Sequence, residues 1–482
     1  MKIAYCLIVI FVIKTQAQFN IVKWPQQYNY RRVLPLAANF NNEPAQNSGL
    51  DSYDRYINSL LSNENKIGDV NNANDNINKV QPTRYDDDES PIVSKPVRFV
   101  GVGTTDFEQL NNVTYALTEF SVILMRSVNQ LIRGNVIVSP TSIATVLALL
   151  QQGTSGEAQD QMTRALSMPP NATAPTYQRL TYDMKKRNSR NILTVSINLY
   201  LGEGFQIEPD FKETSVQYFG SEITNVDFSR PGPAVRQINK WISIQTHNRI
   251  AELLPESAVS SSTQVLIANV VYFKGLWETK FKPESTRELL FHLSSGESIT
   301  VPFMRMRHSF RYGIDEESNS AVVVMPFERY QYSLIIILPQ HQSNVDNILK
   351  SLSNNKLLNY LKFDESEIQL EIPKFTIKSH TNMIPVLQKM GITEIFSPQA
   401  DLTRIGTYRT YSPRISSAIH TGYLSVDEQG LSATAATSFA AIALSYEDPP
   451  ALFQANRPFL AVLWDTQFAI PLFIAKIEDP SK

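Results

Sequence analysis

A mixed α+β fold with extensive antiparallel sheet is predicted for most of this chain, on three observations. Short runs dense in β-branched and aromatic residues recur along it, stretches with apolar residues at helical spacing lie between them, and no internal repeat is present. The composition can fill the core of such a fold, since 43% of the 482 residues are hydrophobic and 10% are aromatic.

Taken in order, Met1 to Ala17 carries one early positive residue, Lys2, then an apolar run from Ile3 to Ile13, then Thr15 and Ala17 before a cut expected at Gln18. That run is too short to span a bilayer comfortably, so residues 1–17 are expected to be a cleaved secretory signal and the protein to be extracellular. Cys6 is the one cysteine and would leave with the signal, which removes disulfides and cysteine chemistry from the mature chain. Residues 18–105 differ in texture: Asn71, Asn72, Asn74, Asn76 and Asn78 crowd one stretch, and prolines recur at Pro82, Pro91 and Pro96. Little periodic apolar content remains, so this is expected to be a mostly disordered extension, with a short helix near Tyr53 to Leu61. Within it Tyr85 stands beside Asp86, Asp87, Asp88 and Glu89, the setting in which secreted proteins carry tyrosine sulfate; a solvated charge run in a linker is the plainer alternative.

Downstream, apolar spacing predicts helices over Phe107 to Ile132, Ser142 to Gln151, Tyr177 to Arg187 and Ala234 to Arg249. Strands are expected at ILTVSINLYL (Ile192 to Leu201), TQVLIANVVYF (Thr263 to Phe273), AVVVMPF (Ala321 to Phe327) and YSLIIILP (Tyr332 to Pro339). A formal net charge of −2 predicts no general affinity for nucleic acid or acidic membranes. Enzyme signatures are absent: there is no Gly-x-Ser-x-Gly elbow, no His-Glu-x-x-His pair, no phosphate-cradling Gly-x-x-x-x-Gly-Lys and no CxxC, and the six histidines are scattered. No catalytic, cofactor-binding or metal-ligating residue is therefore assigned.

The most informative stretch runs from Val426 to Phe459. Gly430 interrupts it, and from there small and apolar residues continue to Leu444 without charge or proline. Such a run sits poorly in water unless it becomes a strand. As a strand it would place Leu431, Ala433, Ala435, Thr437, Phe439 and Ala441 on one face, suited to a core. Ser432, Thr434, Ala436, Ser438, Ala440 and Ile442 would occupy the other, mostly suited to water. At roughly 3.3 Å per residue, pairing Leu431 to Leu444 with a sheet would carry the far end on the order of 45 Å.

These residues resemble the reactive loop of the serpins, whose hinge follows an acidic-x-Gly element, here Glu428, Gln429 and Gly430, with Ala-rich sequence. ANRPFL (Ala455 to Leu460) is similar to the family's carboxy-terminal signature. Separated blocks match in the family's order: Asn135 to Met162, Ala268 to Phe281, Leu370 to Ile377, Met390 to Ile405 and Ala418 to Gly430. The resemblance covers residues 106–482, with the reactive loop at about 428–455. It implies three mainly antiparallel sheets with about nine helices, a loop exposed above the largest sheet, and an inhibitor that traps a serine protease covalently.

Further site residues follow from the resemblance. A buried polar cluster under the opening point of the sheet corresponds to Ser139, Ser142, Asn269 and His420, and Trp277 and Lys374 match positions at the top of the same opening. Counting along the hinge from Gly430 through Leu431, Ser432, Ala433, Thr434, Ala435 and Ala436 puts the scissile bond at Leu444-Ser445, with Tyr446-Glu447 and Ile442-Ala443 as alternatives. No Lys or Arg occurs between Gly430 and Asn456, so an apolar specificity pocket, chymotrypsin-like or elastase-like, is expected in the target. Leu431 departs from the small or hydroxylated residue usual at the first inward hinge position, which keeps a non-inhibitory carrier, storage or chaperone role as the alternative. Asn112 and Asn171 fit the N-glycosylation triplet, and Lys185, Lys186, Arg187 and Arg190 fall where heparin-activated members bind polyanions. The expected partners are an extracellular serine protease and, as a second candidate, a glycosaminoglycan; the protein is expected to act as a monomer, without cofactor, nucleic acid or membrane span.

Overall fold

The computed structural model describes residues 106–185, 190–250, 254–340, 343–408, 413–430 and 450–482. The expected signal, residues 18–105 with Tyr85, Lys186, Arg187 and the segment 431–449, which holds Leu431 to Ala436, Leu444 and Ser445, lie outside the described residues.

Among the described residues the α-helices are α1 (Asp106–Leu131), α2 (Pro140–Gln152), α3 (Gly156–Leu166), α4 (Pro170–Lys185), α5 (Pro209–Phe219), α6 (Pro231–Gln245), α7 (Val345–Ser351), α8 (Asn354–Tyr360) and α9 (Met383–Lys389). The strands are β1 (Val136–Val138), β2 (Ile192–Gly202), β3 (Phe205–Ile207), β4 (Glu222–Val226), β5 (Val265–Lys274), β6 (Arg287–His292), β7 (Ser298–Asp315) and β8 (Ser320–Pro326). They continue with β9 (Tyr332–Pro339), β10 (Glu365–Pro373), β11 (Phe375–Asn382), β12 (Gly406–Tyr408), β13 (Ile415–Val426), β14 (Ala451–Gln454), β15 (Phe459–Asp465) and β16 (Ile470–Ile477).

These strands make three sheets, and most neighbouring strands are antiparallel, as the resemblance implies. A nine-stranded sheet follows the order β1-β16-β15-β9-β8-β7-β10-β14, with β6 also paired to β7. A five-stranded sheet follows β11-β13-β5-β2-β4, and β12 and β3 form a small third sheet. The core of the nine-stranded sheet is apolar on both faces: every residue of β9, β15 and β16 is buried. That explains why YSLIIILP reads as an unbroken hydrophobic run rather than as an alternation.

Local chemistry sets the helix ends that matter for the site. Ser139 caps α2 by accepting the Ser142 N–H, Pro140 fills the first turn where its missing N–H costs nothing, and Gly153 ends the helix. A Cβ at Gly153 would come within 2.2 Å of Ile405 Cγ1 and 2.7 Å of Phe211 Cε2, so only a glycine lets the end of α2 pack this closely. Helix α4 starts at Pro170, ahead of the expected Tyr177, and includes Pro175 in its body. That proline masks the helical spacing of its first turns. Helix α6 stops at Gln245, and His247 and Asn248 then take left-handed backbone, which ends the helix before the expected Arg249.

Candidate functional site: the seam between β5 and β13

Strands β5 and β13 run parallel through the middle of the five-stranded sheet, in continuous register from Ser417 opposite Leu266 to Tyr423 opposite Tyr272, after a bulge between Ile415 and Ser417. The outer neighbours of this pair are antiparallel to it, β11 against β13 and β2 against β5. The chain leaves β13 at Val426, turns at Asp427–Gly430, and enters the segment whose small-residue pattern suits a strand.

One face of the seam is stitched by side chains. His420 stands directly opposite Asn269 in the register. The Ser139 backbone N–H donates to His420 Nε2 at 3.0 Å. This places the ring proton on Nδ1, which donates to Asn269 Oδ1 at 2.7 Å. Asn269 Nδ2 in turn donates to Ser142 Oγ at 2.6 Å and to the Ser196 carbonyl at 3.4 Å. The N-terminus of α2 is thus pinned to β13 by Ser139 and to β5 by Ser142, across the boundary between the two strands. Ser139, Ser142, Asn269 and His420 are all buried. Burial, reinforced by nearby His380, pushes the His420 imidazole from its ordinary 6.5 down to about 3, so the ring is neutral and its two bonds are compatible with that state.

The top of the seam is closed by the turn that follows β13. Gly430 pairs with Asp427 and bridges to Leu276, just past the end of β5. Its φ is +108°, and a Cβ there would lie 2.5 Å from both the Gly275 carbonyl oxygen and the Trp277 nitrogen. Glycine is required twice over, by conformation and by contact with backbone that cannot swing away. Trp277 Nε1 donates to the Asp427 carbonyl at 2.9 Å. Its ring stacks on Phe327 with centroids 4.4 Å apart. The Trp277 and Phe281 backbone N–H groups donate to the carbonyls of Gln429 and Glu428. Lys374 Nζ lies 2.8 Å from Glu428 Oε2, and the Thr286 hydroxyl donates to Glu428 Oε1 at 2.8 Å. Burial raises the Glu428 pKa, but the Lys374 ammonium, a backbone N–H and Thr286 outweigh it and hold the carboxyl below the ordinary glutamate range.

The resemblance placed Ser139, Ser142, Asn269, His420, Trp277 and Lys374 at the opening point of the sheet and Glu428 and Gly430 in the hinge, and these eight residues lie along the β5–β13 seam and the turn above it. Thr286 and Phe327 complete the top of the seam without having been singled out, because their partners are distant in sequence and no local pattern marks them. Asn171 is exposed near the start of α4, and Asn112 lies in α1. Arg190 is exposed and pairs with Glu328 at 3.3 Å, and Lys185 ends α4. Among the described residues, no helix is long and apolar enough to cross a membrane.

Residues 115–480 match the family model for Serpin (serine protease inhibitor). The chain is 30% identical to Antichymotrypsin-2 of Bombyx mori over 336 residues, which cover 68% of this chain and 88% of that protein. It is 29% identical to the Leukocyte elastase inhibitor of Sus scrofa over 381 residues, 77% of this chain and 100% of that one. The crystal structure of Manduca sexta serine protease inhibitor (Serpin)-12 aligns with a TM-score of 0.70 and 40% identity, over 76% of this chain and 99% of that one. The seam, the turn at Gly430 and these likenesses lead to one conclusion: the chain belongs to the serpins, a family of serine protease inhibitors.

Proposed function

We propose that the chain is a secreted inhibitor that captures a serine protease as a covalent acyl-enzyme after cleavage at Leu444-Ser445. The observation that carries this reading is the parallel β5–β13 pair lying directly before the strand-like segment 431–444. A chain leaving β13 and doubling back would run antiparallel to β13, and so to β5 as well. Inserted between them, it would replace one parallel pairing by two antiparallel ones, the slightly more stable ladder per residue.

In the proposed sequence the protease serine Oγ attacks the Leu444 carbonyl carbon. The C–N bond to Ser445 breaks, the protease histidine passes the serine proton to the leaving amine, and an ester joins Leu444 to the protease. Freed at that end, residues 431–444 enter the seam and draw the attached protease along. A distorted oxyanion hole then slows hydrolysis of the ester by about a thousandfold or more, enough to turn a substrate into a trap. Leu444 suits a chymotrypsin-like or elastase-like pocket, and the relatives named above include an antichymotrypsin and an elastase inhibitor. Secretion rests on the Met1 to Ala17 segment.

The test is a titration of the mature protein with chymotrypsin, elastase and trypsin, followed by denaturing gel and by mass spectrometry of the released carboxy-terminal fragment. A complex that survives denaturation with the first two enzymes, and a fragment beginning at Ser445, are the expected results. Clean cleavage without a complex would reject the trap and favour the non-inhibitory reading, for which the bulk of Leu431 at the first inserted position is the specific argument. Three accessory proposals ride on the same preparation. Mass spectrometry reads glycans at Asn112 and Asn171 and sulfate at Tyr85, and salt-dependent retention on heparin tests a polyanion site at Lys185, Lys186, Arg187 and Arg190.

A further inference from the structure

The side-chain stitching of the seam faces α2, but the opposite face holds an aromatic contact that also crosses it. Tyr272 on β5 and Tyr423 on β13 are register partners three positions beyond Asn269 and His420. An odd offset puts them on the other face of the sheet. Their rings lie 5.8 Å apart at 26°, and both residues are buried, with 3% and 6% of their surface exposed. His247, from the turn after α6, packs its ring against Tyr272 with centroids 4.8 Å apart and a 33° tilt, and the Arg249 guanidinium lies beside the Tyr272 hydroxyl. Gln245, at the end of the same helix, accepts from the Ser196 hydroxyl on β2 at 2.7 Å, so this turn belongs to the β2–β5 side of the seam. Only Tyr423 belongs to the β13 side.

From this geometry we infer that the Tyr423–Tyr272 stack is a second latch on the seam, and that Tyr423 sets how fast the sheet opens for loop insertion. The inference rests on the trap proposed above. Neighbouring strands sit roughly 4.8 Å apart, so a strand inserted between β5 and β13 would roughly double their separation to about 9.6 Å. No ring pair of this kind survives that distance. The stack must therefore break before or as the strand enters, together with the His420–Asn269 bond on the other face. Its position matters as well. Tyr423 lies three residues before the end of β13, between the polar network and the hinge turn, where an entering strand passes first. The latch favours the closed sheet while the loop is intact and slows the step that competes with hydrolysis of the ester. Leu431 and Tyr423 thus act on the same branch point.

The experiment uses the full mature chain and reads backbone hydrogen exchange by mass spectrometry in β5 and β13, with β9 and β15 as internal reference. Removing the stack with Tyr423→Leu is expected to speed exchange in β5 and β13 by about three- to tenfold, the range that one aromatic pair supports. Tyr423→Phe keeps the stack and is expected to exchange as the wild type does. Adding Tyr272→Leu to Tyr423→Leu is expected to give no further increase attributable to the pair. Unchanged exchange in Tyr423→Leu, an equal rise in β9 and β15, or Tyr423→Phe behaving as Tyr423→Leu would each overturn the latch. The protease titration separates this outcome from the fate of the trap itself. Faster seam exchange with more complex formed per cleavage supports both, whereas faster exchange with no complex in any variant leaves the latch standing and removes the trap.

Discussion

The β9–β15 pairing and the β5–β13 pairing are both buried in the same chain, yet different chemistry holds them. Between β9 and β15, Val462 faces Ile335 and Leu463 faces Leu334, antiparallel, with apolar side chains above and below. Between β5 and β13 the pairing is parallel, and besides apolar partners such as Ile419 and Ala268 it carries a polar bond, His420–Asn269, and an aromatic stack, Tyr423–Tyr272. Dispersion and apolar burial decay gradually and involve many atoms, so the first region resists opening at every point. Hydrogen bonds and a ring pair can be exchanged for others of the same kind, which sets the second region apart from the first. Under the proposed insertion, the kind of contact across the strand boundary, and not the extent of burial, would distinguish the sheet that opens from the one that stays fixed.

This contrast can be broken at several points. The largest effect is expected in the apolar block. Phe473→Ala in β16 removes a fully buried ring and should lower unfolding stability by about 3–5 kcal/mol, read by denaturant titration, without favouring the seam over other regions in hydrogen exchange. Acid should act on the seam through His420. The unfolded chain takes up a proton at His420 below about pH 6.5, while the folded chain does so only near pH 3. The unfolded state therefore binds more protons in this window, and stability falls as pH falls through it. Two units of acidification from pH 6 to 4 should cost roughly 2–3 kcal/mol at this site, and the difference between wild type and His420→Gln isolates it from other groups. A smaller loss, about 1–3 kcal/mol, is expected for Asn269→Ala, which strands the His420 Nδ1–H and the Ser142 hydroxyl without their partner. Its seam exchange should rise more than that of β9 and β15; equal rises would erase the distinction between the two regions. The smallest effect belongs to Lys374→Met. The pair with Glu428 is partly solvent-exposed on the lysine side, so the expected change is about 1 kcal/mol or less, reduced further by salt and seen as earlier exchange at the Asp427–Gly430 turn.

Much of this was legible in the sequence, for identifiable reasons. YSLIIILP and ILTVSINLYL sit in regular strands with dense β-branched content, so their limits as β9 and β2 differ little from expectation. The polar residues of the seam were legible only through the serpin likeness: Ser139, Asn269 and His420 lie on three separate elements, and nothing near each of them in sequence points to the others. Strand β7 was not singled out at all. It spans Ser298 to Asp315 and pairs with β6 and β10 along part of its length and with β8 at its end. Its faces change neighbours partway, so neither alternation nor a continuous apolar run appears, and Pro302 and Gly313 further obscure it. The Tyr272–Tyr423 pair was equally hidden, because register between parallel strands so distant in sequence is set by tertiary packing and not by any local spacing.

The location of β15 and β16 has a consequence for the cleaved molecule. Both strands come after the proposed scissile bond, and both lie inside the apolar block, where β15 is held by β9 on one side and β16 on the other. A chain cut at Leu444-Ser445 therefore becomes a two-chain molecule whose smaller piece stays embedded as a structural subunit. Size-exclusion chromatography in native buffer should return it at the mass of the uncut protein, and the short chain should separate only when the core itself is unfolded.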